Sequence, residues 1–356
     1  MTEQLKLKLN DSKATRWGAL VIVAFTMMAA YYVNDVVAPL KTMLETDLAW
    51  SSTDFGFFTG GYSFLNVFFL MLIWGGLILD RFGIRFTGKL ATILMVGGTA
   101  LEYYAMTGLA GADATLFGIN EIFGYKTGVF VAFAGYSIFG VGAEVAGITV
   151  SKIIAKWFKG KELATAMGVQ VALARIGSQA GYAVAIPLAR AFGISTPVLL
   201  GLVLLLGGMI AFFVFAVMDK KLDKQMEAAA IAAGTEDEEE KFSFKDVKNI
   251  LVNPGFWLIA LLCVLFYSCV FPFQKFASEL MIIKYGINEN VAGTFAGLPA
   301  LGALILTPVF GGFIDKRGKS ASIMLLGSAM LICVHFIYAI PDINYWLVAI
   351  VLMIIL

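Results

Sequence analysis

Glu144, in the run FGVGAEVAG, and Arg175, in ALARIGSQAGY, are opposite charges set inside long apolar stretches. A charge at a bilayer centre costs roughly 2.5–3.5 kcal/mol on insertion scales, so such residues usually face a bundle interior or a wet pathway. Gly140 and Gly147 flank Glu144 at helical spacing and keep its face small enough to admit a ligand. From Arg175 a polar stripe continues along one helical face through Ser178, Gln179 and Tyr182. Tyr31 and Asp35 share a face of an earlier stretch, and Tyr62 and Asn66 share a face of another. The chemistry open to these residue types is recognition: an acid and a cation binding opposite ends of a zwitterion, with phenols and amides adding hydrogen bonds. The alternative reading is an ion pair between Glu144 and Arg175 that only joins two helices.

Other polar residues invite less. Lys275 and Glu102 lie close enough to the ends of their apolar runs to snorkel and are read as structural, and His335 as a satisfied interior group. Cys263, Cys269 and Cys333 lack metal-ligand spacing and are expected to be free thiols. No nucleophile with an attendant base is apparent. The chain is therefore not read as an enzyme, and no cofactor, metal or nucleic acid is expected.

The elements that must position these side chains are membrane helices. Of the 356 residues, 60% are hydrophobic and 14% charged, against roughly 45–50% and about 25% in soluble domains. Apolar runs long enough to span, about 20 residues, fall near 17–40, 55–79, 88–110, 128–151, 163–189, 196–218, 255–281, 291–314 and 321–340, and another begins at Tyr345. The first run has the length of a full span and no small-residue cleavage site, so it is expected to serve as the first helix. Gly135, Gly140, Gly142, Gly147, Gly177 and Gly181 suit close helix packing. The lipid bilayer is the expected surrounding.

Orientation follows from the basic residues. With the N-terminus inside, one side carries Lys6, Lys8, Lys13 and Arg16, then Arg81, Arg85 and Lys89, then Lys152, Lys156, Lys159 and Lys161, then the lysines from Lys220 to Lys248, then Lys316, Arg317 and Lys319. The other side carries Lys41, Lys126, Arg190 and Lys284. Positively charged loops stay in the cytoplasm, so the N-terminus is expected there.

The chain also repeats itself. GLILDRFGIR, with Gly76, Asp80, Arg81, Gly83 and Arg85, returns as GGFIDKRGK, with Gly311, Asp315, Lys316 and Gly318. A basic turn between two spans would explain one copy; two in register imply paired halves. The expected organisation is a segment 1–16, a six-helix half 17–218, an acidic linker 219–253 containing EDEEEK, and a second half 254–356. The linker is read as a solvated connector, and the insert from Gly111 to Gly128 as carrying no signal.

These paired motifs, the central linker and KWFKGKEL before the fifth span resemble the major facilitator superfamily. That resemblance implies an all-α membrane fold of two six-helix halves with a substrate site near the midplane. It also implies that Asp80 latches the halves against the start of an eleventh helix. The chain stops at Leu356, only 41 residues past Asp315, so the second half is read as truncated. Within the superfamily, YSFLNV, DRFGIR, FGVGAE, WFKGKEL, ARIGS and VFPF are similar to a family of animal lysosomal dipeptide uniporters. The resemblance implies that Glu144 engages a peptide amino end and Arg175 its carboxylate. Lys275 falls near, not on, a lysine of that family.

The expectation is a carrier of small zwitterions, most of all dipeptides. The rivals are a proton-linked carrier of small anions and a receptor or scaffold that no longer transports. An accessory subunit is not carried over from the resemblance. The sequon Asn10-Asp11-Ser12 on the cytoplasmic side and the lack of an acidic dileucine favour a bacterial cytoplasmic membrane over a lysosomal one.

Overall fold

The computed structural model describes residues 8–111, 114–233, 249–317, 320–343 and 345–355. It is a bundle of helices, as a chain crossing lipid must be, because only helices or closed barrels satisfy every backbone polar group without water. The order is α1 (Lys13–Val36), α2 (Lys41–Asp47), α3 (Ser52–Phe68), α4 (Met71–Thr107), α5 (Thr127–Trp157), α6 (Leu163–Phe192), α7 (Thr196–Ala233), α8 (Pro254–Ile283), α9 (Glu289–Ala296), α10 (Leu298–Arg317), α11 (Ser320–Ala339) and α12 (Trp346–Ile355). A two-stranded hairpin, β1 (Glu121–Ile122) and β2 (Tyr125–Lys126), interrupts the series before α5. Six helices among the described residues are long and apolar enough to cross a membrane, seven with the bent pair α3–α4. The sequence reading counted more spans. The difference includes α6, whose stripe of Arg175, Gln179 and Tyr182 lowers its apolar content, and α12, which is short.

The expected turn at GLILDRFGIR is a reversal inside α4. Gly83 has φ 76 and ψ 172, non-helical values that glycine adopts without a Cβ penalty. The two arms meet α5 in opposite order. Before the reversal, Gly75 abuts Val145 and Asp80 reaches Lys152; after it, Gly142 lies against Ala91, and Gly135 against Gly98. A second break was not foreseen: the second span parts at Phe69–Leu70, where Leu70 has φ 51, and α3 and α4 diverge by 58°.

Glycine contacts bring the first-half helices to backbone distance. A Cβ on Gly140 would lie 2.3 Å from the Tyr62 carbonyl oxygen, and one on Gly177 2.1 Å from that of Met28. Gly181 is similarly close to Tyr32. Gly147 is different: only Met27 approaches, at 3.9 Å, so its face is open.

The end of the bundle that holds the Gly83 reversal is strongly basic, and here it is called the basic end. Arg85 and Lys156 share Asp219 and Asp223, and Trp157 donates to the fully buried Asp219 at 3.0 Å. Asp219, read from sequence as the start of a linker, is thus inside an ion network, because α7 continues unbroken to Ala233. The acidic run of the linker lies outside the described residues. So does Gly318, and for Gly311, Asp315 and Lys316 the described structure extends only to their place in α10.

Candidate substrate site

A cavity of about 530 Å³ opens between the halves, lined from α1, α3, α5 and α8. Sites of roughly 300–1,000 Å³ are usual for small molecules. Glu144 on α5 is its acid and Lys275 on α8 its cation. Tyr31, Tyr62 and Gly147 line it as well, with Phe271, Pro272 and Phe276 forming an apolar wall.

Glu144 is placed by its neighbours. Tyr62 donates its hydroxyl to Glu144 Oε1 at 2.8 Å, and the tight approach of Gly140 to the Tyr62 backbone sets the two helices at that range. The Tyr62 ring leans on Tyr136 and Phe139, with centroids 5.6 and 6.1 Å away. One carboxylate oxygen therefore has a fixed neutral donor, and the group keeps acceptor capacity for a ligand cation.

Lys275 is the residue that sequence reasoning undervalued. It does not snorkel. Its ammonium donates to the Asn34 carbonyl at 2.6 Å and to the Tyr136 hydroxyl at 3.2 Å, and it lies 3.7 Å from Asp35. Both side chains of the Asp35–Lys275 pair are mostly buried, 13% and 16% exposed. Tyr136 in turn donates to the Asn34 carbonyl at 2.7 Å. The signal available in sequence was Pro272 three residues earlier: a proline inside a span bends the helix and frees backbone groups, which suits a cavity wall.

The remaining candidates divide. Arg175 does not pair with Glu144; its guanidinium lies 5.9 Å from the Tyr31 ring centroid, outside the described cavity lining, and takes no carboxylate partner among the described residues. Asp35 reaches the cavity only through Lys275, and its other contact is the Asn34 amide at 2.8 Å. Asn66 turns back to its own helix, donating to the Tyr62 carbonyl at 3.1 Å. Gln179 and Tyr182 are not part of the described cavity lining. Gln179 donates to the Thr294 carbonyl and Tyr182 to the Gln274 carbonyl, each at 3.2 Å, so both serve contacts between the halves. Gln179 and Tyr182 are thus engaged with α9 and α8, while Arg175 lies over Tyr31 of α1.

Glu102 does not snorkel either. It is fully buried in α4, and neither carboxylate oxygen has a hydrogen-bond partner among the described residues. His335 is held by the Leu331 and Cys269 carbonyls at 3.0 and 3.2 Å, as expected of an interior group. The three cysteines are free and exposed.

The motif residues also have definite places. Asp80 accepts from Lys152 of α5 at 3.0 Å, a contact within the first half. Arg81 lies over the Phe82 ring, 5.6 Å from its centroid. Gly76 has open space where a side chain would stand.

All three described ion pairs that cross between the halves lie at the cavity or beyond it, away from the basic end: Asp35–Lys275, Lys41–Glu279 at 2.6 Å, and Arg190–Glu289. Close packing accompanies them. A Cβ on Gly293 would sit 2.2 Å from the Tyr182 carbonyl oxygen. The far end is therefore the sealed end in this conformation.

A family model described as the Major Facilitator Superfamily matches residues 19–356. The chain belongs to that superfamily. It is 27% identical over 348 residues to the human lysosomal dipeptide transporter MFSD1, a match covering 94% of this chain and 68% of the relative. The Gallus gallus protein of the same name is 30% identical over 226 residues, covering 60% of this chain and 49% of its own length. Among solved structures, the partially occluded, inward-open xylose transporter XylE from E. coli superposes with a TM-score of 0.64 at 14% identity, covering 96% of this chain and 80% of that one. Tetrameric PepTSo2 does so with a TM-score of 0.64 at 12% identity, covering 96% and 80%. These likenesses show the fold, and the protein is a multi-pass membrane transporter of the alternating-access type. The sealed far end is one of the two end states such a carrier visits.

Proposed function

We propose that this carrier moves dipeptides, with the ammonium end held by Glu144 and the carboxylate end by the cationic wall of the cavity. The observation that carries the reading is the pairing of one acid and one cation, Glu144 and Lys275, on helices of opposite halves around a single cavity. A ligand bridging them joins the halves and favours closure around itself, which is what a carrier needs of its substrate. Arg175, over the ring of the cavity-lining Tyr31 and without a carboxylate partner among the described residues, is a second candidate for the carboxylate end; its planar fork suits that role. The apolar wall of Phe271, Pro272 and Phe276 offers side chains no hydrogen-bond pattern to match, so recognition rests on the two ends. The dipeptide transporters among the relatives support the same substrate class.

On the same reading the basic end faces the cytoplasm, which its excess of lysine and arginine supports.

Binding to end-blocked peptides tests the assignment. Dialanine is expected to stabilise the purified protein against heat. N-acetyl-dialanine and dialanine amide are each expected to bind at least about tenfold more weakly, since a hydrogen bond to a charged group contributes about 1.5–3 kcal/mol. Equal binding of the acetylated peptide would remove Glu144 from the role. Binding of small carboxylates without an amine, in preference to dialanine, would replace the dipeptide reading with an anion carrier.

A further inference from the structure

Glu102 is the buried acid that the cavity does not use. It is 0% exposed in α4, and neither carboxylate oxygen has a hydrogen-bond partner among the described residues. Thr99, one turn earlier and also fully buried, leaves its hydroxyl unpartnered as well. The helices touch here at their backbones: a Cβ on Gly98 would lie 2.4 Å from the Phe139 nitrogen, and one on Gly135 2.9 Å from the nitrogen of Glu102 itself. A carboxylate stripped of water and given no donor is among the costliest groups a protein can hold, and such a group sheds its charge by taking a proton.

The charged and titratable groups around it are few. Tyr136 comes from α5, Asp35 from α1, Tyr62 from α3, Tyr182 from α6 and Lys275 from α8. The seventh helix meets α4 where Phe212 fills the space beside Gly88, and its charges begin only at Asp219, in the ion network of the basic end. Among the described residues Lys275 is thus the one cation whose charge reaches Glu102, and in a dry interior such an attraction carries far. That ammonium is already committed to Asp35, to the Asn34 carbonyl and to the Tyr136 hydroxyl. Two acids and one cation therefore share a dry region. Both acids belong to the first half, and the cation belongs to the second.

We propose that Glu102 is a proton-binding site whose occupancy is set by Lys275. Asp35 and Glu102 compete for the one ammonium: the acid that holds it is ionised, and the other carries a proton. In this conformation Asp35 holds it, and Glu102 is a neutral carboxylic acid. If the ammonium passes to Glu102, that residue releases its proton and Asp35 takes one up, so the net charge of the three groups is unchanged. The ammonium rides on the second half, so the movement of the halves past one another decides which acid is charged. This holds whatever solute fills the cavity.

Infrared difference spectroscopy on the purified protein at neutral pH tests this without a substrate. Each sample is compared with its own Glu102→Gln counterpart, which isolates the signal of one carboxyl. The unsubstituted protein is expected to show the carbonyl stretch of a neutral carboxylic acid. Asp35→Asn imitates a protonated Asp35 and releases Lys275 to Glu102; the acid band is expected to fall severalfold, with a carboxylate stretch gained in its place. Lys275→Met with Asp35→Asn removes the contested cation as well, and the acid band is expected to return, which a mere disturbance of packing by the asparagine would not allow. No acid band in the unsubstituted protein would overturn the proton site, and that comparison stands even where Asp35→Asn fails to fold. An undiminished band in Asp35→Asn, or one still absent in the paired variant, would overturn the competition with Asp35.

Discussion

Glu144 and Lys275 make opposite demands on their surroundings. Glu144 has a single fixed donor, so Glu144→Gln removes the charge while keeping the shape and a hydrogen bond to Tyr62. Dipeptide affinity is expected to fall at least about tenfold, the size of a lost charge-assisted bond, with little change in melting temperature. Tyr62→Phe is expected to weaken binding less, because it frees the carboxylate without neutralising it. Lys275 is committed to Asp35, Asn34 and Tyr136. Removing one member of a mostly buried pair costs about 3–5 kcal/mol by leaving a charge alone, whereas removing both costs less. Lys275→Met is therefore expected to destabilise the protein markedly, and Lys275→Met with Asp35→Asn to recover part of the loss in a thermal melt. The acid was legible in sequence, because a glutamate between glycines inside a span has few explanations. The cation was not: hydropathy gives the depth of Lys275 but not the Asn34 carbonyl and Tyr136 hydroxyl that draw it inward. The contacts of Gln179 and Tyr182 with the Thr294 and Gln274 carbonyls were not legible either, since a polar stripe looks the same whether it meets a ligand or a second helix.

At the level of the helix, glycine positions separate packing from access. Gly140→Ala would drive a methyl into the Tyr62 carbonyl, 2.3 Å away, while Gly147→Ala meets nothing closer than Met27 at 3.9 Å. The first is expected to lower the melting temperature and weaken binding together, by moving Tyr62; the second is expected to leave stability unchanged. The spans themselves were readable because about 20 apolar residues leave the chain little choice in lipid. The break at Leu70 was not, since no glycine or proline announces it. Nor were the tight turns of the insert before α5, where Phe117-Gly118 and Phe123-Gly124 take positive φ at places that Asn-Gly would normally mark.

The segment before α1 is a clamp that answers to pH. Asp11 accepts from Lys161, which holds its carboxyl below the ordinary range, and Glu162 is held low by Trp17, then Arg16. A depressed folded-state value gives stability that is complete above the unfolded-state value and lost as pH falls through the folded one. Hydrogen exchange over residues 8–17 is therefore expected to be slow at neutral pH and to quicken only once pH drops below the ordinary carboxylate range. Quickening at neutral pH would remove the clamp.

For the whole molecule, the described cross-half ion pairs gather at the cavity and the far end, while Asp80, Arg85 and Lys156 spend their charges within the first half. Lys41–Glu279 and Arg190–Glu289 therefore hold the far ends of the halves together in this conformation. Glu279→Gln with Arg190→Ala is expected to shift the resting population toward a far-side-open state, seen as longer spin-label distances between α2 and α8. Two-half architecture was legible from the repeated Asp-basic-x-Gly turn, because an internal repeat is a statement about topology. Which end would be sealed was not legible, since both end states use the same sequence.

Recognition of a dipeptide through Glu144 is tested by uptake of labelled dialanine into proteoliposomes, comparing the protein with Glu144→Gln at equal insertion. The expected result is saturable uptake that unlabelled dipeptides compete away, that N-acetyl-dialanine leaves almost untouched, and that falls at least about tenfold in the variant. Uptake unchanged by Glu144→Gln, or competed equally by the acetylated peptide, would contradict it.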